Sequence, residues 1–217
     1  MGCNVVDSAT IAGDARGVMW TARVYYVDVA VPSDRKKHKT HAVFDGGRVG
    51  RLTELEDASE IYIDALFPQI YGELMELIER NIKVFLLKNL RLLKRLREED
   101  KVKKSDEADA QLLSQIPRTF FRELTLKEIK LLQLINEYET YSKWRAIIKR
   151  WISRYPLDFL KKCVREFRRL YECYGGKIIE EVMKDENYAA IYKTVCEELR
   201  LKNSVEVAIL VVRLPLN

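Results

Sequence analysis

Two aspartates interrupt apolar stretches that otherwise have the composition of buried β-strands. Asp28 lies within Val24–Val31, and Asp64 lies within Ile61–Leu66. Burying an ionised carboxylate costs several kcal/mol unless it is paired, bound to a metal or placed at a strand end. Because neither stretch contains a basic residue, a divalent cation shared by the two aspartates would account for both.

A second pair of acids, Asp106 and Asp109, is spaced three residues apart near the predicted start of a helix. This spacing puts both carboxylates on one helical face, whereas Glu107 points about 100° away. The pair also has a structural explanation, because acids in a first helical turn interact favourably with the helix dipole. Asp28 and Asp64 have one too, since backbone N–H groups or water would satisfy each of them at a strand end.

Four carboxylates that converge from two neighbouring strands and a helix would form a site for Mg²⁺ or Mn²⁺. Mg²⁺ prefers oxygen ligands and keeps several waters, so a few carboxylates suffice. Two such ions about 3.5–4 Å apart would activate a water or hydroxyl and stabilise the leaving oxygen of a phosphodiester. The candidate catalytic residues and metal ligands are therefore Asp28, Asp64, Asp106 and Asp109.

The hydrophobic pattern predicts the elements that position these acids. A strand, an amphipathic helix from Pro68 to about Arg80 and another strand form a βαβ unit, which makes the two strands parallel. Gly46-Gly47 is typical of a hairpin turn between two further strands. The sequence thus predicts an α/β fold with a mixed five-stranded sheet, whose strands lie at Val24–Val31, His41–Asp45, Arg48–Leu52, Glu60–Leu66 and Lys83–Leu87.

The pattern becomes helical from Leu90 onward. A capping box, Thr125-x-x-Glu128, opens a long helix with an apolar stripe that includes Trp144 and Trp151, which we expect in its core. A second helix is expected to end at Gly175-Gly176, so that the two form an antiparallel hairpin or a dimerising coiled coil. A third helical stretch is predicted over Lys177–Lys202, and the apolar run Val205–Val212 predicts a terminal strand.

Short motifs within residues 23–153 occur in the order found in one family of DNA-rearranging enzymes. Val27-Asp28-Val29 matches an aliphatic-Asp-Val motif, and Leu87-Lys88-Asn89 matches a strand that ends near an Asn. The most specific match is Lys104-Ser105-Asp106-Glu107-Ala108-Asp109-Ala110, which follows the motif Lys-Thr-Asp-x-x-Asp-Ala. The chain thereby resembles the DEDD-type insertion-sequence transposases, which are related to Piv-type DNA invertases. Asp64-Ala65 departs from the family's Glu-Ala, because it keeps the charge but shortens the ligand by one methylene.

The resemblance implies an RNase H-like, RuvC-like domain over 23–118 and a helical hairpin or coiled coil over 119–176. Residues 177–217 are expected to form a helical tail with the terminal strand, and residues 1–22 a leader without a functional assignment. The resemblance also implies DNA as substrate, DNA recombination as the process and a structured RNA as a partner. No stretch matches the family's C-terminal domain with its nucleophilic serine. We therefore expect a truncated transposase, a domesticated remnant or half of a split enzyme.

Positive charge is concentrated in two segments. Asn81–Ser105 holds nine Lys/Arg against three Asp/Glu, and Tyr141–Leu170 holds ten against two, whereas the whole chain is only +5. Such faces would bind DNA or RNA phosphates in a salt-dependent way, with interleaved aromatics available to stack on bases; the alternative is a solvated helical face. The candidate nucleic-acid-binding residues are Lys94, Arg95, Arg97, Lys101, Lys103, Lys104, Lys143, Arg145, Lys149 and Arg150.

The composition bounds the remaining classes of protein. The 217 residues are 47% hydrophobic and 33% charged, which indicates a folded core with long solvated helices. His38, His41 and four cysteines without a CxxC pair leave little material for a zinc site or a Ser-His-Asp triad. We expect reduced cysteines in an intracellular, cytoplasmic protein. No apolar run reaches the roughly 18 residues of a membrane span.

Three functions are compatible with the sequence. The first is a divalent-metal-dependent nuclease or recombinase-type enzyme that acts on DNA. The second is a non-catalytic nucleic-acid-binding or dimerisation module, with a homodimer formed through the 125–174 helices. The third is a structural helical protein in which the acids are incidental. Metal binding and DNA cleavage would distinguish among them.

Overall fold

The structure is a computed structural model that describes residues 23–31, 40–155 and 157–214. The described residues divide into two compact units, which lie within Met1–Ile129 and Lys130–Asn217. The expected leader, residues 1–22, lies outside the described residues, as does most of the polar loop that contains His38.

In the described residues, a single six-stranded sheet forms the centre of the first unit. Its strands are β1 (Arg23–Asp28), β2 (His41–Val43), β3 (Arg48–Val49), β4 (Ala58–Ile63), β5 (Lys83–Leu87) and β6 (Phe121–Glu123). Their order across the sheet is β3-β2-β1-β4-β5-β6. β1, β4 and β5 are mutually parallel, and the other three strands run antiparallel to their neighbours. The predicted mixed sheet and the parallel βαβ pair are confirmed.

The sixth strand corrects the prediction of five. β6 lies in a segment expected to belong to the helical hairpin, and it pairs with β5 through Phe85 and Glu123. Leu124 extends this pairing by donating its N–H to the carbonyl of Val84 at 2.8 Å. A three-residue strand has too few positions to show a period of two, so its pattern alone could not reveal it.

In its described part, the first unit has three complete α-helices: α1 (Tyr71–Glu79), α2 (Leu90–Glu99) and α3 (Asp106–Leu113). One face of the sheet carries an aromatic ladder, in which the rings of Tyr26, Tyr62 and Phe85 stack with centroids 5.0 and 4.7 Å apart. Leucines of α2 and α3 pack against this ladder and bury it. The face of β1 and β4 that bears the ladder is therefore the face that α3 approaches.

The second unit is helical in its described part. Its helices are α4 (Leu126–Arg154), which begins in the first unit, α5 (Asp158–Met183), α6 (Glu186–Glu198) and α7 (Val205–Arg213). α4 and α5 run antiparallel, because Tyr138 stacks on Tyr171 while Tyr141, one turn later, also contacts Phe167. The hairpin expected from the sequence is present. No described helix combines the length and the apolar character that crossing a bilayer requires.

The predicted terminal strand is wrong, because Val205–Arg213 is a helix. Ser204 caps it by accepting a hydrogen bond from the Val207 N–H at 3.3 Å. The valine-rich composition favours a strand, but tertiary packing overrides that preference. The residues that the helix buries are Val207, Ala208, Val211 and Val212, which recur at helical spacing.

The predicted helix end at Gly175-Gly176 is also wrong, because α5 continues through both glycines to Met183. The stretch predicted as one helix over Lys177–Lys202 is consequently divided between α5 and α6. A Cβ on Gly175 would lie 2.9 Å from Val205 Cγ2. Close packing of α7 on α5 therefore requires a glycine at this position, and the helix tolerates it.

The expected core tryptophans are exposed instead. Trp144 and Trp151 are 50% and 53% accessible, whereas Ile148 between them is buried.

Cys163, Cys173 and Cys196 are free thiols.

Candidate functional site

Asp28 and Asp64 stand side by side at the carboxyl ends of two adjacent parallel strands. Val27 of β1 pairs with Ile63 of β4, so the two aspartates occupy the next register positions. Alternation along the strands puts Asp28 on the face of Tyr26, and Asp64 on the face of Tyr62. This is the sheet edge at which open α/β folds bind their ligands.

α3 brings Asp106 and Asp109 to the same face. The helix packs against β1 and β2, and the Ser105 side chain caps its start by accepting from the Ala108 N–H at 3.1 Å. Glu107 lies on another side of the helix from Asp109 and pairs with Arg48. The structure thus brings together the four candidate acids from three elements.

The four carboxylates interact electrostatically. Burial, together with the nearby charges of Asp64, Asp109 and Asp106, raises the pKa of Asp28 from its ordinary value of 3.8 to about 7. Burial also raises the pKa of Asp64, although the Val29 N–H donates to Asp64 Oδ1 at 2.9 Å and partly offsets the effect. The structural explanation, in which backbone N–H groups satisfy an acid at a strand end, therefore applies in part to Asp64.

Two arginines contact the acids of α3. Arg97 Nε lies 3.3 Å from Asp109 Oδ1, and Asp109 is only 5% exposed. Burial raises the pKa of Asp109, while the charges of Arg97 and Lys104 oppose that rise. At the rim, Arg48 lies 3.6 Å from Asp106. Half of the acidic set is thus offset by protein cations.

The donor chemistry of the four acids fits a hard divalent cation. All four supply carboxylate oxygens, which Mg²⁺ and Mn²⁺ prefer. Asp109 Oδ1 is buried and accepts no hydrogen bond, but it is held in the ion pair with Arg97. As arranged, however, the described part of the chain holds no group of three or more His, Cys, Asp or Glu side chains ready to bind one ion. In this arrangement Asp109 pairs with Arg97 and Asp106 with Arg48.

The basic residues predicted along α2 and the loop after it fall into two groups. Arg97 is mostly buried and turns towards Asp109. The others are exposed on α2 or on the loop after it, and all of them except Arg95 line a groove of about 440 Å³ that Arg97 also borders. These exposed residues are Lys94, Arg95, Lys101, Lys103 and Lys104.

The basic residues predicted on α4 divide in the same way. Lys143, Lys149 and Arg150 are exposed. The guanidinium of Arg145 lies over the ring of Tyr171, 4.5 Å from its centroid, so it contributes to packing between α4 and α5. Three of the four therefore present free cationic surface.

Sequence reasoning missed Arg48 and His41. Arg48 reaches Asp106 and Glu107 across nearly 60 residues of chain, and no local pattern signals such a contact. His41 Nδ1 accepts the Ala30 N–H at 3.1 Å, which fixes the backbone just beyond Asp28. Burial lowers the pKa of His41, and the neutral form is the one that accepts this bond.

Comparisons with known proteins identify no relative. The chain matches no protein-family model, no curated protein and no solved structure. Any functional assignment therefore depends on the geometry of the site.

Proposed function

We propose that the first unit is a divalent-metal-dependent catalytic domain of nuclease or recombinase type that acts on DNA. The observation that carries this proposal is the convergence of Asp28, Asp64, Asp106 and Asp109 at one sheet edge. The register of β1 and β4 puts Asp28 next to Asp64, and α3 adds two further acids to the same face. Their mutual repulsion is a cost that a bound cation would remove.

The arrangement also supports an RNase H-like, RuvC-like fold of the DEDD-transposase type. In that arrangement the first strand carries one carboxylate, a neighbouring strand carries the second, and a helix across the sheet supplies the rest. Here β1, β4 and α3 hold these places.

Each residue has a definable role in such a site. Asp28 and Asp64 would be the principal ligands, with Asp109 and Asp106 completing the set. Divalent metal bound there supplies activation of a water or hydroxyl and neutralises charge on the scissile phosphate. Lys103 and Lys104, exposed beside α3, would bind the flanking phosphates.

The test is metal binding and DNA cleavage by the full chain. We expect Mn²⁺ to raise the melting temperature, and Mg²⁺ or Mn²⁺ to support nicking of branched or linear DNA. Asp28→Asn should abolish cleavage and the Mn²⁺ effect but leave DNA retention unchanged. Asp100→Asn, at an exposed position after α2, is the matched control and should behave as wild type. A wild-type chain that is not stabilised by Mn²⁺ and does not cleave DNA would refute the proposal.

A non-catalytic nucleic-acid-binding module is the second candidate. The observation that favours it is the pairing of Asp109 with Arg97 and of Asp106 with Arg48, which neutralises two acids without a metal. Salt-dependent DNA retention by a wild-type chain that neither binds Mn²⁺ nor nicks DNA would select this function.

A further inference from the structure

The end of the hairpin between α4 and α5 exposes three large aromatic side chains. Trp151, Tyr155 and Phe159 are 53%, 64% and 62% accessible. With Arg154 and Leu157 they line a cleft of about 370 Å³. Exposed apolar surface concentrated in this way is typical of an interaction site, because leaving it in water is unfavourable.

The surroundings of this aromatic cleft are strongly basic. Tyr141–Leu170 carries ten Lys/Arg against two Asp/Glu, and one of those acids, Asp158, already pairs with Lys161 at 2.9 Å. Charge complementarity therefore requires an anionic occupant. Apart from Lys161, the exposed cations nearest in sequence to the cleft are Lys149, Arg150, Arg154 and Lys162.

We propose that the aromatic cleft binds unpaired nucleotides of a single strand. The bases stack on Trp151, Tyr155 and Phe159, and the phosphates contact the surrounding lysines and arginines. Aromatic side chains within a positively charged groove suit single strands, because every base has a π-face that can stack and every phosphodiester linkage carries a negative charge. This inference rests on the nucleic-acid partner of the proposed function, but it does not require the metal or the four aspartates.

The charge and shape of the cleft disfavour other occupants. A second copy of this face would bring two strongly positive surfaces together, which like-charge repulsion opposes. A membrane surface is best met by a continuous apolar helix face that inserts among lipids. Here the aromatic side chains instead line an open cleft together with Arg154 of α4, and further exposed cations lie close to it in sequence on both α4 and α5.

The test uses the full chain and a fluorescein-labelled oligothymidylate of about 12 nucleotides, with a duplex of equal length for comparison. Trp151→Leu keeps apolar bulk but removes the stacking ring, and we expect it to weaken binding of the single strand roughly 5- to 150-fold. Trp151→Phe should retain most of the affinity. Trp144→Leu is the matched control, because Trp144 is equally exposed on α4 but does not line the cleft.

Three outcomes would overturn the inference. The first is equal oligothymidylate affinity for Trp151→Leu and Trp144→Leu, with both variants folded by circular dichroism. The second is binding of phosphatidylserine–phosphatidylcholine vesicles, but not of the oligonucleotide, through Trp151. The third is a concentration-dependent dimer that Trp151→Leu dissociates, with no effect on the oligonucleotide.

The inference and the proposed function fail separately. Asp28→Asn should leave oligothymidylate binding intact, whereas Trp151→Leu should leave stabilisation by Mn²⁺ intact. Trp151-dependent binding in a chain that never cleaves DNA would support the cleft and refute the enzyme. DNA cleavage by a chain whose oligothymidylate binding does not depend on Trp151 would support the enzyme and refute the cleft.

Discussion

Arg97 of α2 lies against Asp109 of α3, with 3.3 Å between Arg97 Nε and Asp109 Oδ1. Both side chains are largely buried, and apart from this ion pair neither of these two atoms has a hydrogen-bond partner. The pair joins the basic helix to the acidic sheet edge. Arg97 consequently offsets an acid of the candidate site, whereas the sequence places it among residues that face DNA.

Replacing Arg97 should destabilise the fold. Arg97→Gln leaves the carboxylate of Asp109 buried without its cation, and breaking a buried pair in this way costs about 3–5 kcal/mol. The partial exposure of Arg97 places the expected loss near the lower end. Urea unfolding measures it, with Arg95→Gln on the exposed side of α2 as the control, expected within about 0.5 kcal/mol of wild type. Adding Asp109→Asn to Arg97→Gln should recover part of the loss, and equal stability of Arg97→Gln and Arg95→Gln would contradict the argument.

Because Arg97 pairs with Asp109, it should not bind DNA phosphates, whereas the exposed lysines of the following loop should. Removing one phosphate-binding cation from a duplex complex reduces the slope of log affinity against log salt by about 0.9. We expect the Lys101→Gln/Lys103→Gln double variant to reduce that slope by about 1.8. Arg97→Gln should leave it unchanged, because Arg97 is directed at Asp109. A salt titration of duplex binding measures both, and a flat wild-type titration would exclude phosphate binding.

Local rules predict only part of the convergence of the aspartates. A βαβ connection predicts the parallel neighbours β4 and β5, and alternation predicts the faces of Asp28 and Asp64. The pairing of β1 with β4 is expected only from the family resemblance. The spacing of Asp106 and Asp109 likewise predicts their shared side of α3. The positions of Arg48 and Arg97 could not be predicted, because they depend on interactions between residues distant in the chain.

Elements whose state depends on packing are harder to predict. Val205–Arg213 has a strand-like composition, but it is helical because its buried side chains pack among the other helices of the second unit. Trp144 and Trp151 fit the helical stripe, yet the space beside them is left uncovered at the hairpin end. Hydrophobic spacing predicts which residues share a helical face, but not how far a neighbouring helix covers that face.

The two adjacent glycines of α5 should respond oppositely to alanine. A Cβ on Gly175 would lie 2.9 Å from Val205 Cγ2 and 3.4 Å from Tyr138 Cε2, so Gly175→Ala overpacks the core and should cost about 1–3 kcal/mol. Gly176 is exposed and has nothing within 4 Å of an added Cβ. Gly176→Ala should stabilise the protein by about 0.4–1 kcal/mol, because alanine restricts the unfolded chain. Thermal unfolding monitored by far-ultraviolet circular dichroism compares them, and a Gly175→Ala variant more stable than wild type would refute the packing of α7 on α5.

The raised pKa of Asp28 should appear in the pH dependence of stability when divalent cations are chelated. With a pKa near 3.8 in the unfolded chain and about 7 in the folded one, folded Asp28 holds a proton that the unfolded chain releases between these values. Its stabilising contribution is therefore complete below the unfolded pKa and is lost as pH rises through about 7. Asp28→Asn should flatten the decline in urea midpoint between about pH 5 and about pH 8, and should be the more stable protein at the upper end. Asp100→Asn should follow the wild-type profile, and a parallel decline in Asp28→Asn would show that the pKa of Asp28 is not raised.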